Sequence, residues 1–474
     1  MQYSKRDKIT KKYDTIVIGG GLGGLTLANT LAKQNKSVLL LEAHNKLGGF
    51  ATWFKRASGD HIFDVSLHGF PFGMLKTCKK YWSPEIAAHI RPIRSVRFVN
   101  PSFDIETDFT KEDYKKILQQ KFHLNVELVE GFFNELATMN FYDDQSTTNK
   151  DLFEKYFPGR NDVLRFLLEP IVYANGSNLS DPAISYGIVF SNFMQKGVYV
   201  FEGGTDLMIS MMKAELLKNG VDIRLHSKVD QILVDEHRKA YGVRCGDEII
   251  LSQTVVSNAN LKTTIEKMVG ESFFSPEYFQ KMQSTRLNSS SCQVYLGIKS
   301  GAEIPFIGDL VFTSTDDYFS SERLLSPEIY SQTFSIYYPD MRPERGGRYT
   351  IVSSSNAKYS DWAHLTEAEY EAKKAFLIER ALVELEKLLP GVRDKIDFVE
   401  AATPLTVEKF THHQMGASFG TKFEGLEVSM NINKEVDGLF HAGSVGIIMS
   451  GWLGAANYGV IKAYDVLNYL NRDN

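Results

Sequence analysis

Residues 14–54, "DTIVIGGGLGGLTLANTLAKQNKSVLLLEAHNKLGGFATWF", contain two short apolar runs separated by a cluster of glycines. Residues 15–18 predict a buried strand, and apolar side chains recur at helical spacing from residue 25 onward. A second predicted strand ends at Glu42. The order of strand, glycine turn, helix and strand is that of a βαβ unit, so the sequence predicts an α/β fold with a Rossmann-like parallel sheet.

The glycines of this turn have the G-x-G-x-x-G spacing of a dinucleotide-binding fingerprint. We expect Gly19 to make the tight turn, Gly21 to let a pyrophosphate approach the backbone, and Gly24 to let helix and strand pack closely. Free N–H groups and the partial positive charge at the helix start favour the diphosphate. Leu22 and Gly23, at the same helix start, are therefore predicted contacts as well.

An acidic residue ends the second strand at the place where such folds bind a ribose. Glu42 lies 23 residues after Gly19, and its carboxylate is suited to accept hydrogen bonds from the adenosine ribose hydroxyls. A carboxylate there disfavours a 2′-phosphate, and therefore NADP. Ala43 is a predicted neighbour of the same ribose. The alternative is a glycine-rich turn that serves packing alone.

A second Gly-Gly pair follows Glu42 after six residues and extends the nucleotide-binding pattern. Gly48 and Gly49, followed by Phe50 and Ala51, would let the chain run along an extended dinucleotide. With this pattern the chain resembles the flavoprotein amine oxidase and phytoene desaturase superfamily. The resemblance implies FAD as the cofactor and these four residues as contacts.

Three longer stretches are similar to carotenoid isomerases and retinol saturases within that superfamily. They are residues 48–70, residues 198–260, and the C-terminal pair 402–423 and 438–467. The resemblance implies that Val229 meets the adenine through its backbone amide and carbonyl groups.

The first of these stretches contains the family's Phe-Asp pair, at Phe63 and Asp64. Ser66 stands where the family usually has a glycine. This difference leaves the local turn open.

The last stretch predicts a strand, a loop, and a helix that begins near residues 452–454 and ends near Leu470. The resemblance implies that this helix points its N-terminus at the N1/C2=O edge of the flavin. The amides of Trp452 and Leu453 would then favour the reduced anion. Gly443 and Ser444 are further predicted contacts, although the family often has an acid where this chain has Ser444.

Residues 442–461 carry no charge and reach the roughly 20 residues that a membrane-spanning helix needs. Five glycines and Asn457 interrupt them. A buried strand, turn and helix is therefore the better interpretation.

Composition excludes several classes of protein. The chain has 474 residues, of which 43% are hydrophobic and 23% charged, which suffices for two or three cores. Its net charge of −5 does not favour a nucleic-acid partner. Cys78, Cys245 and Cys292 lie far apart and suggest neither a disulfide framework nor a zinc site. The N-terminal segment lacks the apolar core of a secretion signal, so we expect a cytoplasmic protein that contacts membranes at most peripherally.

The predicted FAD-binding domain is discontinuous and consists of residues 1–71, 196–274 and 401–474. Two insertions form an α+β substrate domain. Residues 72–195 are predicted to be mainly helical, and residues 275–400 to contain a β-sheet and a long helix. In this prediction the sheet faces the flavin and the helices form a lid.

No catalytic acid–base pair is evident from residue spacing, so the catalytic residues stay unassigned. His68, His412 and His413 lie in segments expected near the flavin, and we expect them to be structural or exposed rather than catalytic. Two adjacent histidines without a third ligand do not predict a metal site. Flavin chemistry asks of the protein mainly orientation and a dry pocket.

The resemblance implies an FAD-dependent oxidoreductase that acts on a carbon–carbon double bond of an apolar, polyunsaturated molecule such as a carotenoid, retinoid, other isoprenoid or lipid. Saturation, desaturation and reduced-flavin cis/trans isomerisation stay open. A single complete fingerprint argues against a dedicated nicotinamide domain. Two alternatives remain: an amine or amino-acid oxidase on the same fold, and a non-catalytic FAD-bound carrier or assembly protein.

Overall fold

A computed structural model describes most of the chain, and labels β1 to β20 and α1 to α15 follow the order of the sequence. The described residues are 8–9, 12–56, 61–66, 69–140, 143, 145–343 and 348–472. Within them, the strands β1 to β20 are Lys8–Ile9, Tyr13–Ile18, Val38–Leu41, Trp53–Arg56, His61–Asp64, Phe70–Pro71, Ile90–Pro92, Val96–Asn100, Phe103–Thr107, Val198–Phe201, Asp222–Arg224, Gln231–Val234, Ala240–Cys245, Glu248–Ser257, Ser290–Ile298, Leu310–Ser314, Ser331–Tyr337, Thr350–Ala357, Ile396–Ala402 and Leu439–His441.

The helices of the described residues are mostly short, and they connect or cover these strands. In chain order, α1 to α15 are Leu22–Ala32, Gly73–Tyr81, Pro84–Ala88, Lys111–Gln120, Val126–Thr138, Asn149–Tyr156, Asn161–Asn175, Ala183–Met194, Gly204–Lys218, Leu261–Thr263, Pro276–Ser284, Glu367–Leu388, Pro404–Thr411, Gly425–Glu435 and Gly451–Leu470. Short 3₁₀ helices lie at Glu271–Phe273, Arg323–Leu325, Pro339–Met341, Tyr359–Asp361, Arg393–Lys395 and Gln414–Gly416, and a π-helical segment lies at Thr264–Val269.

The first sheet has the strand order β11-β3-β2-β14-β13-β12, and β1 and β20 also pair with β14. Strands β11, β3, β2, β14 and β20 run parallel, with Val17 opposite both Leu40 and Val256. Strands β12 and β13 continue the sheet as an antiparallel meander. The carboxyl ends of the parallel strands meet at one edge, which is where such folds bind their ligands. The predicted Rossmann-like fold class is confirmed.

Helices α1 and α15 pack against each other where both have a glycine. A Cβ atom on Gly459 would lie 2.2 Å from the carbonyl oxygen of Gly23, and one on Gly23 would lie 2.7 Å from that of Ala442. All eleven residues of α1 are buried, which explains why this helix lacks a polar face. The two backbones thus meet without an intervening side chain.

The second sheet has the strand order β19-β15-β18-β17-β16-β8-β9 and is antiparallel except for the pair β8 and β16. Strands β8 and β9 belong to the stretch 72–195, predicted to be mainly helical, so this stretch supplies one edge of the sheet as well as helices. The division into domains stays a prediction.

The two faces of the second sheet pack against different helices. One face contacts α4 to α8, where Phe98 of β8 stacks on Phe312 of β16 with ring centroids 4.9 Å apart. The other face contacts α12, where Val294 and Leu296 of β15 share a core with Leu377. The sheet therefore separates a core shared with α4 to α8 from a core shared with α12.

A buried charge network connects the hairpin β4–β5 to α9. Asp64 accepts hydrogen bonds from the Thr205 N–H (3.0 Å) and the Arg342 guanidinium (2.6 Å), and Arg342 also pairs with Asp206. Ser66 donates to the carbonyl oxygen of Phe50 at 3.2 Å. The Phe-Asp pair identified in the sequence thus anchors the turn that begins α9.

None of the helices in the described ranges is both long and apolar enough to cross a membrane. Residues 442–461 form the loop after β20 and the first half of α15. The turn and the helix predicted for this uncharged stretch are therefore confirmed, whereas the strand lies just before it, in β20.

We expect Gly459→Val to destabilise the protein, because its methyl groups would meet the backbone of α1. Overpacking of this kind costs about 1–3 kcal/mol of unfolding free energy. Denaturant unfolding of both proteins measures this loss. Tyr464→Val, on the exposed side of the same helix, is the control and should change stability by less than about 0.5 kcal/mol. Equal stability of the two variants would contradict the proposed contact.

Candidate functional site

A cavity of about 1230 Å³ lies between the carboxyl edge of the first sheet and the second sheet. Gly19, Gly21 and Glu42 line one part of it, and Tyr173 and Phe312 line another. Its volume exceeds the roughly 300–1,000 Å³ typical of small-molecule pockets. The cavity can therefore hold an extended dinucleotide and a second molecule.

The fingerprint turn opens on this cavity. Gly19 has φ +96°, a conformation that favours glycine, and Gly21 is the N-cap of α1. Neither a side-chain cap nor an acidic residue occupies the first turn of α1. Gly21, Leu22 and Gly23 line the cavity. Gly24 does not line the cavity, because it packs against the turn. A Cβ on Gly24 would lie 2.2 Å from the Gly19 carbonyl oxygen.

The second Gly-Gly pair lies directly against the fingerprint turn. The Gly48 N–H donates to the Gly20 carbonyl oxygen at 2.7 Å. Gly48 and Gly49 have φ values of +113° and +59°, and a Cβ on Gly49 would lie 3.1 Å from the Gly21 Cα. Both glycines line the cavity, and Phe50 and Ala51 continue the same wall. The structure thus brings these four predicted residues next to the turn.

Glu42 is fixed by backbone amides at the end of β3. Its Oε2 accepts from the Gly20 N–H and its Oε1 from the His44 N–H, both at 2.7 Å. Each carboxylate oxygen has a further lone pair for a ligand hydroxyl. Glu42, Ala43 and Val229 all line the cavity. This arrangement is suited to hold a ribose and the base attached to it.

The N-terminus of α15 opens on the same cavity. The Ser450 hydroxyl donates to the Ile447 carbonyl oxygen, and no side chain caps the helix. Trp452 stacks on Phe70 with ring centroids 5.2 Å apart and an interplanar angle of 19°. Trp452 and Leu453 line the cavity. Two uncapped helix N-termini, of α1 and α15, therefore face one cavity and favour negative charge on its occupant.

The two predicted residues after β20 differ in position. Ser444 lines the cavity, and its carbonyl oxygen packs against Gly420. Gly443 is not part of the cavity wall, because it lies against the loop after β14, where a Cβ would be 2.4 Å from the Ala259 carbonyl oxygen. Gly443 therefore allows close packing between two loops, whereas Ser444 faces the cavity.

Sequence reasoning missed Asn258, which directly follows β14. Its Nδ2 donates to the Gly19 carbonyl oxygen at 3.3 Å, and a Cβ on Gly21 would lie 3.0 Å from the same nitrogen. Asn258 also lines the cavity. Its position after a strand that returns to the parallel sheet was the signal that could have identified it.

The two described histidines of the predicted set line the cavity, whereas His68 lies outside the described residues. The His413 ring donates from Nδ1 to the Ala417 carbonyl oxygen at 2.9 Å, and the ring lies edge-on to Phe50. Burial lowers the pKa of His413, so the ring is neutral near pH 7. In the described ranges, no three His, Cys, Asp or Glu side chains cluster as metal ligands would.

The part of the cavity beyond the nucleotide site, which we call the chamber, has one apolar and one polar wall. Helices α7 and α8 supply apolar side chains to it, namely Ile171, Ile188, Val189 and Phe193. Strands β15 and β18 supply polar ones, namely Ser291, Gln293, Ser354 and Asn356.

A buried carboxyl group lies behind the polar wall. Tyr173, which lines the cavity, donates its hydroxyl proton to Ser331 (3.0 Å), and Ser331 donates to Glu169 (2.5 Å). Burial raises the pKa of Glu169 to about 7, against the lowering effect of Ser331 and Arg165. Both protonation states of Glu169 are therefore populated near neutral pH.

Comparisons with known proteins agree with this architecture. Residues 17–81 match the family model of the NAD(P)-binding Rossmann-like domain. The chain is 25% identical to prolycopene isomerase of Arabidopsis thaliana over 98% of its length and 84% of the relative. It is 23% identical to all-trans-retinol 13,14-reductase of Homo sapiens over 87% of the chain and 78% of the relative, and 24% identical to a protein of Danio rerio named as an inactive all-trans-retinol 13,14-reductase, over 98% and 89%.

Solved structures show the same fold. Putrescine oxidase bound to putrescine superimposes with a TM-score of 0.66 at 14% identity, over 97% of this chain and all of that one. An oxidoreductase of Methanosarcina mazei has a TM-score of 0.67 at 15% identity, over 95% and 99%.

These comparisons confirm two predictions. The chain resembles the carotenoid isomerase and retinol saturase family, because relatives of both kinds align along most of its length. It is an enzyme of the oxidoreductase group that shares this Rossmann-like fold.

Glu169 makes stability depend on pH in a defined direction. Its folded pKa of about 7 lies above the ordinary 4.5, so the folded state binds more protons between these values, and the unfolding free energy falls as the pH rises through them. The maximum loss is about 3 kcal/mol. We expect Glu169→Gln to lack this component, so that the wild type loses stability relative to the variant between pH 5 and pH 8.

Denaturant unfolding of both proteins at the two pH values measures this difference. The exposed Glu154 of α6 provides the control, because Glu154→Gln should leave the difference from wild type nearly constant. A constant difference for Glu169→Gln as well would contradict the perturbed carboxyl.

Proposed function

We propose that the protein binds FAD extended along the cavity and acts on a carbon–carbon double bond of an apolar, polyunsaturated substrate. The observation that carries the proposal is that two uncapped helix N-termini, of α1 and α15, open on one cavity with Glu42 on its wall. Separated anion-favouring sites of this kind match a ligand with a diphosphate in the middle and a redox ring at one end.

The residues that would hold FAD can be assigned by their place on the wall. Gly21 and Leu22 would bind the diphosphate, Glu42 the adenosine ribose, and Val229 the adenine. Trp452 would lie at the pyrimidine edge of the flavin. Gly48 and Gly49 lie close to the fingerprint turn and have no side chains. The ligand would therefore meet backbone there, whereas a larger residue would block it. When bound, FAD would supply hydride exchange at its N5 atom.

The chain's own residues would orient the substrate and exclude water from it. The apolar wall from α7 and α8 gives a polyunsaturated chain a dry surface. In the described part of the chamber, the polar wall of β15 and β18 consists of uncharged side chains. This suits a neutral substrate better than an amine, because the Glu400 carboxylate on the cavity wall is already paired with Arg56. An amine oxidase is therefore the weaker candidate, since putrescine oxidase shares only the fold.

The reaction proposed is reduction, desaturation or cis/trans isomerisation of a conjugated or isolated double bond. Support comes from relatives named for isomerising prolycopene and for reducing all-trans-retinol. One relative is named as an inactive reductase, so a measurement of turnover is the direct test of the proposed reaction.

We expect Gly21→Asp to abolish FAD loading, because the new carboxylate would lie beside Asn258 and repel the diphosphate. The purified wild type should be yellow and release FAD on denaturation, which absorbance and chromatography measure. The matched control is Gly220→Asp, which adds the same charge in an exposed turn. A Cβ added at Gly220 has no heavy atom within 4 Å apart from its chain neighbours. Full FAD occupancy in Gly21→Asp would refute the assigned site.

Anaerobic incubation of reduced and of oxidised protein with a lipid extract tests the chemistry. We expect a change in flavin absorbance together with a product that differs by two hydrogens, or an unchanged mass with altered chromatographic retention. The first result indicates redox chemistry and the second isomerisation. Folded, FAD-loaded protein that changes neither flavin nor lipid under both conditions would favour the non-catalytic alternative.

A further inference from the structure

We infer that the chamber recognises a neutral oxygen function, a hydroxyl or carbonyl group, on an otherwise apolar substrate, and that Asn175 and Asn356 determine this specificity. The inference rests on the proposed function and narrows its substrate class. The inference distinguishes oxygenated substrates from pure hydrocarbons. The fold and the proposed cofactor alone do not distinguish these two classes.

The polar wall is a feature of one face of the second sheet. On β15, Cys292 and Val294 point into the apolar core under α12, whereas the alternate residues Ser291 and Gln293 line the cavity. Ser291 pairs with Asn356, and Gln293 pairs with Ser354 on β18. A pure hydrocarbon would bind more tightly to a chamber with apolar side chains at these positions. The reason is that each polar group loses its water without a replacement partner when such a ligand enters.

Two amide groups, Asn356 of the polar wall and Asn175 at the end of α7, have no hydrogen-bond partner among the described residues. The Nδ2 atoms of Asn175 and Asn356 make no hydrogen bond in the described structure, although the residues are only 2% and 7% exposed. The Asn175 Oδ1 accepts from the Ser177 N–H at 2.9 Å, which fixes the orientation of its amide. Buried donors of this kind are nearly always paired, so their partner is an acceptor oxygen that enters the cavity.

The end of α7, which carries Asn175, and the end of β18, which carries Asn356, meet in one corner of the chamber. Tyr173, two residues before Asn175, hydrogen-bonds to Ser331 of β17. Thr333 of β17 pairs with Ser354 of β18, and the antiparallel register therefore places Ser331 beside Asn356. The Asn288 Nδ2, three residues before Ser291, also donates to the Asn175 carbonyl oxygen at 2.9 Å, so the end of α7 lies beside the strand ends that carry Ser291 and Asn356.

The charges around this corner favour a neutral ligand. Glu169 lies behind Tyr173 and Ser331, and Arg165 acts on it with the opposite charge, so the pair offers no net positive charge to a carboxylate. Arg56, farther along the wall, is paired with Glu400 at 2.7 Å and so is not available to neutralise an acid. On the opposite wall, Ile171 of α7 and Ile188 and Val189 of α8 form an apolar surface that suits the hydrocarbon part of the ligand. A hydroxyl or carbonyl oxygen meets the amide donors without added charge.

The test compares the affinity of FAD-loaded protein for geranylgeraniol and for the C20 hydrocarbon of the same chain without the hydroxyl. Titration with quenching of protein fluorescence measures binding, and mass analysis of each probe measures conversion. We expect the alcohol to bind the wild type about tenfold more tightly, a difference of about 1.4 kcal/mol. In Asn356→Leu and in Asn175→Leu the preference should fall toward equality through weaker binding of the alcohol alone.

Asn431→Leu is the matched control, because it makes the same change on α14, away from the cavity wall, and should leave the preference intact. Asn356→Ala removes the amide group without adding bulk, so it should lose the preference even if the leucine variant folds poorly. Equal affinity of the wild type for both probes, or a preference that persists in Asn356→Ala, would overturn the inference. Conversion of both probes in that case would leave the proposed function standing, whereas selective binding without any conversion would contradict the function and not the recognition.

Discussion

The structure depends on backbone atoms meeting backbone atoms at the carboxyl edge of the first sheet. Gly24 lies against the Gly19 carbonyl group, Gly49 against the Cα of Gly21, and Gly459 against the carbonyl group of Gly23. An added Cβ would lie only 2.2 Å from the carbonyl oxygen in the first and third contacts and a tight 3.1 Å from the Cα in the second. Because α1 is buried on all sides, its position fixes the turn before it, the Gly-Gly loop beside it and the terminal helix across it. The cavity has its shape because these segments cannot separate.

This packing also determines the electrostatics of the site. The helices α1 and α15 meet at small residues, and both present uncapped N-termini to one cavity. The N–H groups at these ends and the associated dipoles favour a ligand with negative charge in two separate places. Glu42, held by two backbone amides, supplies the opposite chemistry, an acceptor for hydroxyl groups. The wall therefore distinguishes the parts of an extended nucleotide by charge and by hydrogen-bonding type.

The chamber beyond this site shows how a shared fold can serve different substrates. The nucleotide wall is built from backbone and glycine, which constrains it strongly. The chamber is built from side chains of a sheet face and two helices, and single substitutions there change its polarity without moving the backbone. Asn356 on the sheet and Asn175 at the end of α7 are uncharged donors, and the nearby pair of Glu169 and Arg165 offers no net positive charge to an acid. Selection among apolar substrates would then depend on few polar atoms.

The βαβ start, the glycine turn, Glu42 and the beginning of the last helix could be predicted from the sequence, because each depends on the spacing of residues near one another in the chain. The sequence did not assign Asn258 or separate Gly443 from Ser444. It also gave no sign that Glu169 and Ser331, 162 residues apart, form one hydrogen-bonded group. Those relations come from strand pairing and helix packing between distant segments. Only the tertiary structure could decide them, because local periodicity states which face of an element is polar but not what that face meets.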